Sequence, residues 1–341
     1  MNLSNKPIIL ISQSACDVIS ILELYEKYNS ICSISIYVIK NKNLFDYFNN
    51  LNLNVKYIKF IEYVEYFNIK KPLTIIKAKK DVKMVYKKYF TGVKNSSIYF
   101  FADTHDFLTF YIVNQLCKRN EITFYDWEKY DIKKSLPLLK YSLGDIIVLL
   151  SYIYIVGNRL VLTQRKAIRL LTEKQNIKVI RKLEVSIEVR EKYCENININ
   201  KEKAVLIFES PTASISINNY ENTLEKIISI IKEMGLVIYI KPHPYKGFSN
   251  FLSNLDVIIC DSKFPGELIN TNEFSYILGI TSLSIARLAK FTNNVYSLID
   301  LMEWKNSYSQ NRKNEDKERL LMYSNNQINI IGSFKDLKHL I

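Results

Sequence analysis

The chain has little of what usually announces a nucleotide-binding protein. Only eight glycines occur in 341 residues, and neither GxGxxG after a strand nor GxxxxGK[ST] is present. A nicotinamide dehydrogenase and a P-loop NTPase are therefore poorly supported. Phosphate binding, if it occurs, must come from helix N-termini, hydroxyls and histidine. Cysteine is also sparse. Cys16, Cys32, Cys117, Cys194 and Cys260 are scattered without CxxC or Cys/His spacing, which argues against a disulfide framework and a structural zinc site. No Asp-x-Asp occurs, so the usual metal-diphosphate grip is missing from the sequence. No zinc-finger spacing, RNP-type strand or base-reading Lys/Arg helix is seen, and no nucleic-acid partner is expected.

Long apolar runs are missing too. The nearest, Leu143 to Leu162 (LGDIIVLLSYIYIVGNRLVL), carries Asp145 and Arg159 and reads as a buried or interfacial helix, not a span of about 20 uncharged residues. The apolar run near the N-terminus is too short for a good signal peptide. The expected location is the cytoplasm, with a peripheral position at the inner membrane face. What the chain does have is a formal charge of +13 and 48% apolar residues. That charge suits anionic substrates and peripheral contact with an anionic membrane. The length favours two domains over one.

In order along the chain, strand-like and helix-like segments alternate. Pro7–Ser12, Ile31–Ile39, Val55–Phe60, Ser97–Ala102 and Ile122–Tyr125 read as strands, with helices over Ala15–Tyr28, Asn43–Leu53, Ala78–Tyr89 and from 103 to about Lys118. Residues 129–203 look helical and irregular. Alternation resumes with strands Ala204–Phe208, Leu236–Ile240, Val257–Cys260, Tyr276–Ile280 and Asn294–Leu298, and helices Tyr220–Met234 and Ser284–Phe291. Such alternation means parallel, doubly wound sheets. The expected fold is α/β, of the GT-B type: two Rossmann-like domains with parallel sheets facing across a cleft. The expected division is 1–180, a connection at 181–203, and 204–341. Asn306–Arg319 is polar enough to read as a flexible surface segment.

Three features of the second half carry chemistry. Lys241-Pro242-His243-Pro244 follows a strand, and ligands of open α/β sheets gather at the carboxyl ends of strands. The flanking prolines restrict the backbone of His243, and an imidazole suits proton transfer or phosphate binding. Thr281-Ser282-Leu283-Ser284 lies between a strand and a helix, where hydroxyls either cap the helix or bind an anion. Phe208-Glu209-Ser210-Pro211 follows the half's first strand, with Glu221 at the next helix start.

The Lys-Pro-His-Pro and Thr-Ser-Leu-Ser segments resemble the HP and Ser/Ser-Thr motifs of bacterial GT-B sialyltransferases. In length and layout the chain is similar to the lipooligosaccharide sialyltransferases of glycosyltransferase family 52, with the polysialyltransferases as cousins. The acidic D/E-D/E-G motif of such families corresponds here to Ile122–Trp127, where Asp126 is kept and Trp127 stands in place of the glycine. The resemblance implies inverting, metal-independent transfer of sialic acid from CMP-sialic acid to a sugar hydroxyl of a lipooligosaccharide or capsule. It implies no cofactor, a nucleotide-sugar donor, an oligosaccharide acceptor and a homodimer. His243 as a cation would meet the departing phosphate, with Lys241, Pro244, Glu209, Ser210, Thr281, Ser282 and Ser284 binding the donor. Glu221 and Asp126 rank level as the base, ahead of Asp103 and Asp106; His105 reads as structural or acceptor-side, not catalytic. Ser12, Gln13 and Ser14 lie where an acceptor would approach. Two alternatives remain: a transferase using another CMP- or CDP-linked donor (Kdo or glycerol phosphate), and an inactive glycan-binding relative.

Overall fold

The computed structural model describes residues 6–64, 71, 73–101, 107–126, 143–156, 177–181, 186–194, 197, 203–210, 213–243 and 246–341. The chain divides into two compact units, Met1–Glu184 and Val185–Ile341.

In the first unit the elements run β1 (Ile8–Ser12), α1 (Val18–Tyr28), β2 (Ile34–Ile39), α2 (Lys42–Asn50), β3 (Tyr57–Ile61), α3 (Thr74–Tyr89), β4 (Ser97–Phe100), α4 (Phe107–Leu116), β5 (Glu121–Asp126), α5 (Leu143–Val156) and β6 (Lys178–Arg181). The strands form one sheet in the order β3-β2-β1-β4-β5-β6, and every pairing is parallel. Every residue of β1 and β2 is buried, which is why both are mostly apolar and neither alternates with exposed polar residues. Ile9, Ile11, Ile39, Phe100 and Phe110 belong to the core that the helices cover.

The second unit runs α6 (Ile187–Tyr193), β7 (Ala204–Phe208), β8 (Ile217–Asn218), α7 (Tyr220–Glu233), β9 (Val237–Lys241), β10 (Ile258–Ile259), β11 (Tyr276–Gly279), α8 (Leu283–Leu288), β12 (Val295–Ser297), β13 (Glu303–Trp304), α9 (Ser307–Tyr323), β14 (Asn329–Ile330) and α10 (Phe334–Leu340). Its main sheet is ordered β10-β9-β7-β11-β12-β14, all parallel, while β8 and β13 pair antiparallel. Counted within their own sheets, both sets of strands follow the 3-2-1-4-5-6 order of the Rossmann fold. Each sheet therefore reverses direction beside its first strand, at β1/β4 and at β7/β11, and that is where such sheets bind ligands.

Three local expectations change. Asn306–Arg319 is not a flexible segment; most of it lies in α9, a helix capped by the Asn306 side chain, which accepts the Ser309 N–H at 2.9 Å. Its polar surface is stitched by Arg312–Asp316 at four-residue spacing and by Lys313 and Lys317 on Asp300, while Leu320 and Tyr323 are buried. Within 129–203, Lys178–Arg181 is a strand whose extended form comes from pairing with β5. Residues 187–193 are a helix of the second unit: Arg190 donates from Nη2 to the Ile269 carbonyl at 2.8 Å and from Nε to the Glu267 carbonyl at 3.3 Å. No helix among the described residues is long and apolar enough to cross a membrane.

Candidate functional site

The carboxyl ends of β9, β7 and β11 lie side by side in the second unit. Lys241 pairs with Phe208, and Phe208 with Gly279, in one row across the sheet. At about 4.8 Å per strand, the β9 and β11 ends stand about 10 Å apart with β7 between them. The three segments singled out in the sequence are the loops that leave this row. The topology thus brings His243, Glu209 and Thr281 to one edge of one sheet.

His243 begins a tight turn. Its N–H donates to the Gly247 carbonyl and the Gly247 N–H returns to the His243 carbonyl, both at 2.9 Å. Gly247 sits at φ +68°, a conformation that favours glycine. Inside this turn the Lys246 N–H donates to His243 Nδ1 at 3.3 Å. A backbone N–H can only donate, so Nδ1 presents a lone pair and the proton of the neutral ring is on Nε2. Burial, then the charges of Lys241 and Lys246, hold the imidazole below the usual histidine range. Both effects favour the neutral ring, whose donor is Nε2–H.

Lys241 is buried. Its Nζ donates to the carbonyls of Pro242 and Ser262, both at 3.4 Å, so the ammonium fastens the β9 exit to the loop after β10. Burial pushes it down to about 8, against the opposing pull of Cys260, Asp261 and Glu267. Glu209 is buried as well. Its N–H donates to the Lys241 carbonyl at 3.1 Å, and both carboxylate oxygens accept the Ser249 N–H at 3.1 Å. Burial pushes its carboxyl above the usual carboxylate range. Ser210, next along, is buried.

Across β7, Ser282 occupies the N-cap position of α8 with extended backbone, yet its side chain makes no cap hydrogen bond. The hydroxyl is not committed to capping, the plainer of the two uses its sequence allows. Thr281 and Ser284 are half-buried beside it. Glu221 is exposed in the first turn of α7. Asp126 is the last residue of β5, its backbone paired with Arg181, and its side chain lies outside the described residues. So do Pro244, Asp103, His105, Asp106 and Trp127.

Residues that sequence reasoning missed support the row from behind. A Cβ on Gly266 would overlap the Phe208 ring and lie 3.3 Å from Ser284 Cβ, so the 264–268 backbone rests directly on the site's central strand. That loop is anchored by a buried ion pair, Arg287 Nη1 to Glu267 Oε1 at 3.2 Å, and by Arg190 on its carbonyls, with the Arg190 guanidinium 4.7 Å from the Phe291 ring centroid. The only local hint was Pro265-Gly266.

The corresponding loop of the first unit is already filled. One oxygen of Asp17, Oδ2, accepts from Ser12 Oγ at 3.1 Å, the Gln13 N–H at 3.2 Å and the Ser14 N–H at 3.0 Å. Ser12, Gln13 and Asp17 are buried, leaving Ser14 half-buried at the surface. The chain's own carboxylate stands where a Rossmann domain would place a phosphate. Among the described residues no cluster of three or more His, Cys, Asp or Glu side chains is placed to hold a metal ion.

No protein-family model matches the chain, and no curated protein matches it in sequence. Among solved structures, it is similar to the glycotransferase of kitacinnamycin, with 8% identity, 96% of this chain and 86% of that one covered, and a TM-score of 0.51. The fold is GT-B. A UDP-N-acetylglucosamine 2-epimerase (9% identity, 99% and 91% covered, TM-score 0.48) and the E. coli heptosyltransferase WaaC with ADP (9%, 85% and 87%, 0.42) are also similar, at a level too low to specify more. The α/β expectation of two Rossmann-like domains is borne out, and the likeness, at this identity, extends to the fold alone.

Proposed function

We propose that this protein is a glycosyltransferase that moves a sialic or related nonulosonic acid from a CMP-linked donor to a sugar hydroxyl, as the resemblance to family 52 implies. The observation that carries the reading is the His243 turn at the β9 end, with Nε2–H as the donor of its neutral ring, on the same sheet edge as the Thr281–Ser284 segment, where the Ser282 hydroxyl makes no cap bond. That set suits a single phosphate, whose charge needs less compensation than a diphosphate. The filled Asp17 loop favours the same division, with the nucleotide on the second unit and the acceptor on the first.

In the step proposed, the bond between the anomeric carbon and the phosphate oxygen breaks, and its electron pair leaves with CMP. The acceptor oxygen bonds to that carbon from the opposite face, and its proton passes to a carboxylate, Glu221 or Asp126. His243 Nε2–H and the hydroxyls of Thr281, Ser282 and Ser284 hydrogen-bond the phosphate as its charge grows. An approaching phosphate would also raise the imidazole's affinity for a second proton.

CMP release measured against CMP-sialic acid, CMP-Kdo and CDP-glycerol tests this. The sialyl donor is expected to turn over, and His243→Ala to lower kcat by about 100-fold or more. His243→Gln keeps an N–H donor and is expected to lose less than alanine if the neutral ring acts by hydrogen bonding. Turnover of CDP-glycerol alone would replace the sialyl reading. Absence of turnover with every donor would leave a binding protein.

A further inference from the structure

We infer that the outer face of α3, together with the adjoining face of α5, is a docking surface for an anionic lipid bilayer. Helix α3 has the sequence TIIKAKKDVKMVYKKY, six lysines against one aspartate. Its inner face is ordinary core: Ala78 and Val82 are buried, with Ile75, Val85 and Tyr86 packed beside them. Its outer face is not an ordinary solvated face. Leu73 is 81% exposed, Ile76 59% and Met84 51%, and they are interleaved with exposed Lys77, Lys80, Lys83 and Lys87. At 100° per residue all of these fall on one side of the helix.

Helix α5 continues the surface. Lys79 of α3 lies 3.7 Å from the Tyr154 ring centroid, which fixes the two helices side by side. On α5, Tyr154 is 44% exposed and Leu150, one turn earlier, 57%. Large apolar side chains exposed on neighbouring helices and ringed by lysines mark an interaction site. Charge selects the partner. A second copy would set lysines against lysines across a symmetric contact. A nucleic acid would use the lysines and leave Leu73, Ile76, Met84 and Leu150 in water. A bilayer of anionic lipids takes both, apolar side chains at the acyl boundary and ammonium groups at the headgroups. The contrast with α9 is instructive: that surface helix also carries many charges, but of both signs and joined in ion pairs.

The inference does not depend on any donor or acceptor, so its test is separate from that of the proposed activity. The purified chain is co-sedimented at low and at physiological salt with vesicles of phosphatidylcholine, with and without phosphatidylglycerol. Binding is expected only with phosphatidylglycerol. Each lysine near an anionic surface is worth about fivefold, so Lys80→Ala/Lys87→Ala is expected to weaken binding by about 25-fold. Ile76→Ser/Met84→Ser is expected to weaken it while leaving the salt dependence in place. Lys203→Ala/Lys338→Ala, the same charge loss on the second unit, is expected to have little effect. The inference is overturned if the unaltered chain ignores phosphatidylglycerol at low salt. It is also overturned if the second-unit variant loses as much as the α3 variant, or if an RNA homopolymer displaces the vesicles from this face.

Discussion

Replacing Lys241 by methionine isolates the most unusual charge in the second unit. The side chains are close in length, so packing is largely kept, while the buried ammonium and its bonds to the Pro242 and Ser262 carbonyls are lost. Burial moves this lysine from an ordinary 10.5 to about 8, a penalty of about 3 kcal/mol on its charged form. The sign follows from proton counts. Below pH 8 both folded and unfolded chains hold the proton and the full penalty applies. Between pH 8 and 10.5 the folded chain gives up its proton while the unfolded chain keeps it, so stability rises with pH. The neighbouring Cys260 thiol, pushed up to about 11 by burial, stays neutral over most of this range. Chemical denaturation of the two proteins from about pH 7.5 to about pH 10 is expected to show the native chain gaining about 2 kcal/mol relative to Lys241→Met. Taking the difference cancels the tyrosines that also titrate there. A difference independent of pH would refute the assignment of a depressed lysine. The same substitution removes one of the two cations acting on His243, so an NMR titration of that ring is expected to move upward.

Three further outcomes follow from the packing. Gly266→Ala drives a methyl group into the Phe208 ring and is expected to lower stability by about 1–3 kcal/mol, measured by urea denaturation; a neutral result would mean the loop is not seated on β7. Arg287→Met strands the Glu267 carboxylate in the interior, with an expected loss of about 3–5 kcal/mol, and Arg287→Met/Glu267→Leu is expected to recover much of it. Asp17→Ala leaves the Gln13 and Ser14 N–H groups without the acceptor they share, with an expected loss of about 1–3 kcal/mol. Added sulfate is expected to raise the melting temperature of that variant more than that of the native chain.

The legible parts of the sequence were those whose physics is local. AVLIF and LVIYI are unbroken apolar runs because a parallel strand covered on both faces has no solvent side, the first ending at Phe208 and the second one residue before Lys241, the two paired residues of the site's register row. The Thr281–Ser284 and His243 segments were found because they follow such runs. Short strands gave no such signal. Lys178–Arg181 and Asn329–Ile330 are extended through pairing with β5 and β12, a property of the neighbour. Helix α9 was hidden by a surface that is polar nearly all round, its stability resting on a cap and on charges arriving from Asp300. The Glu267–Arg287 pair is joined only in three dimensions. Asp17 was readable in principle, since Ser14-x-x-Asp17 is a capping box, but the signature says that a turn begins and not that its donors are all consumed.

That last point separates two halves which topology alone makes equivalent. Both sheets have the same strand order, and both place a loop at the reversal beside their first strand. In the first unit, that loop turns its N–H groups onto Asp17, so a phosphate arriving there would have to displace a carboxylate held by three donors. In the second unit, the loop after the first strand turns a carboxylate, Glu209, away onto Ser249, while histidine and hydroxyls stand on the neighbouring strand ends. On the proposed function, the same fold is closed to anions in the first unit and equipped for them in the second. The difference arises from where each first loop finds its internal partner: an acid four residues after Gln13 in one half, a backbone N–H forty residues after Glu209 in the other.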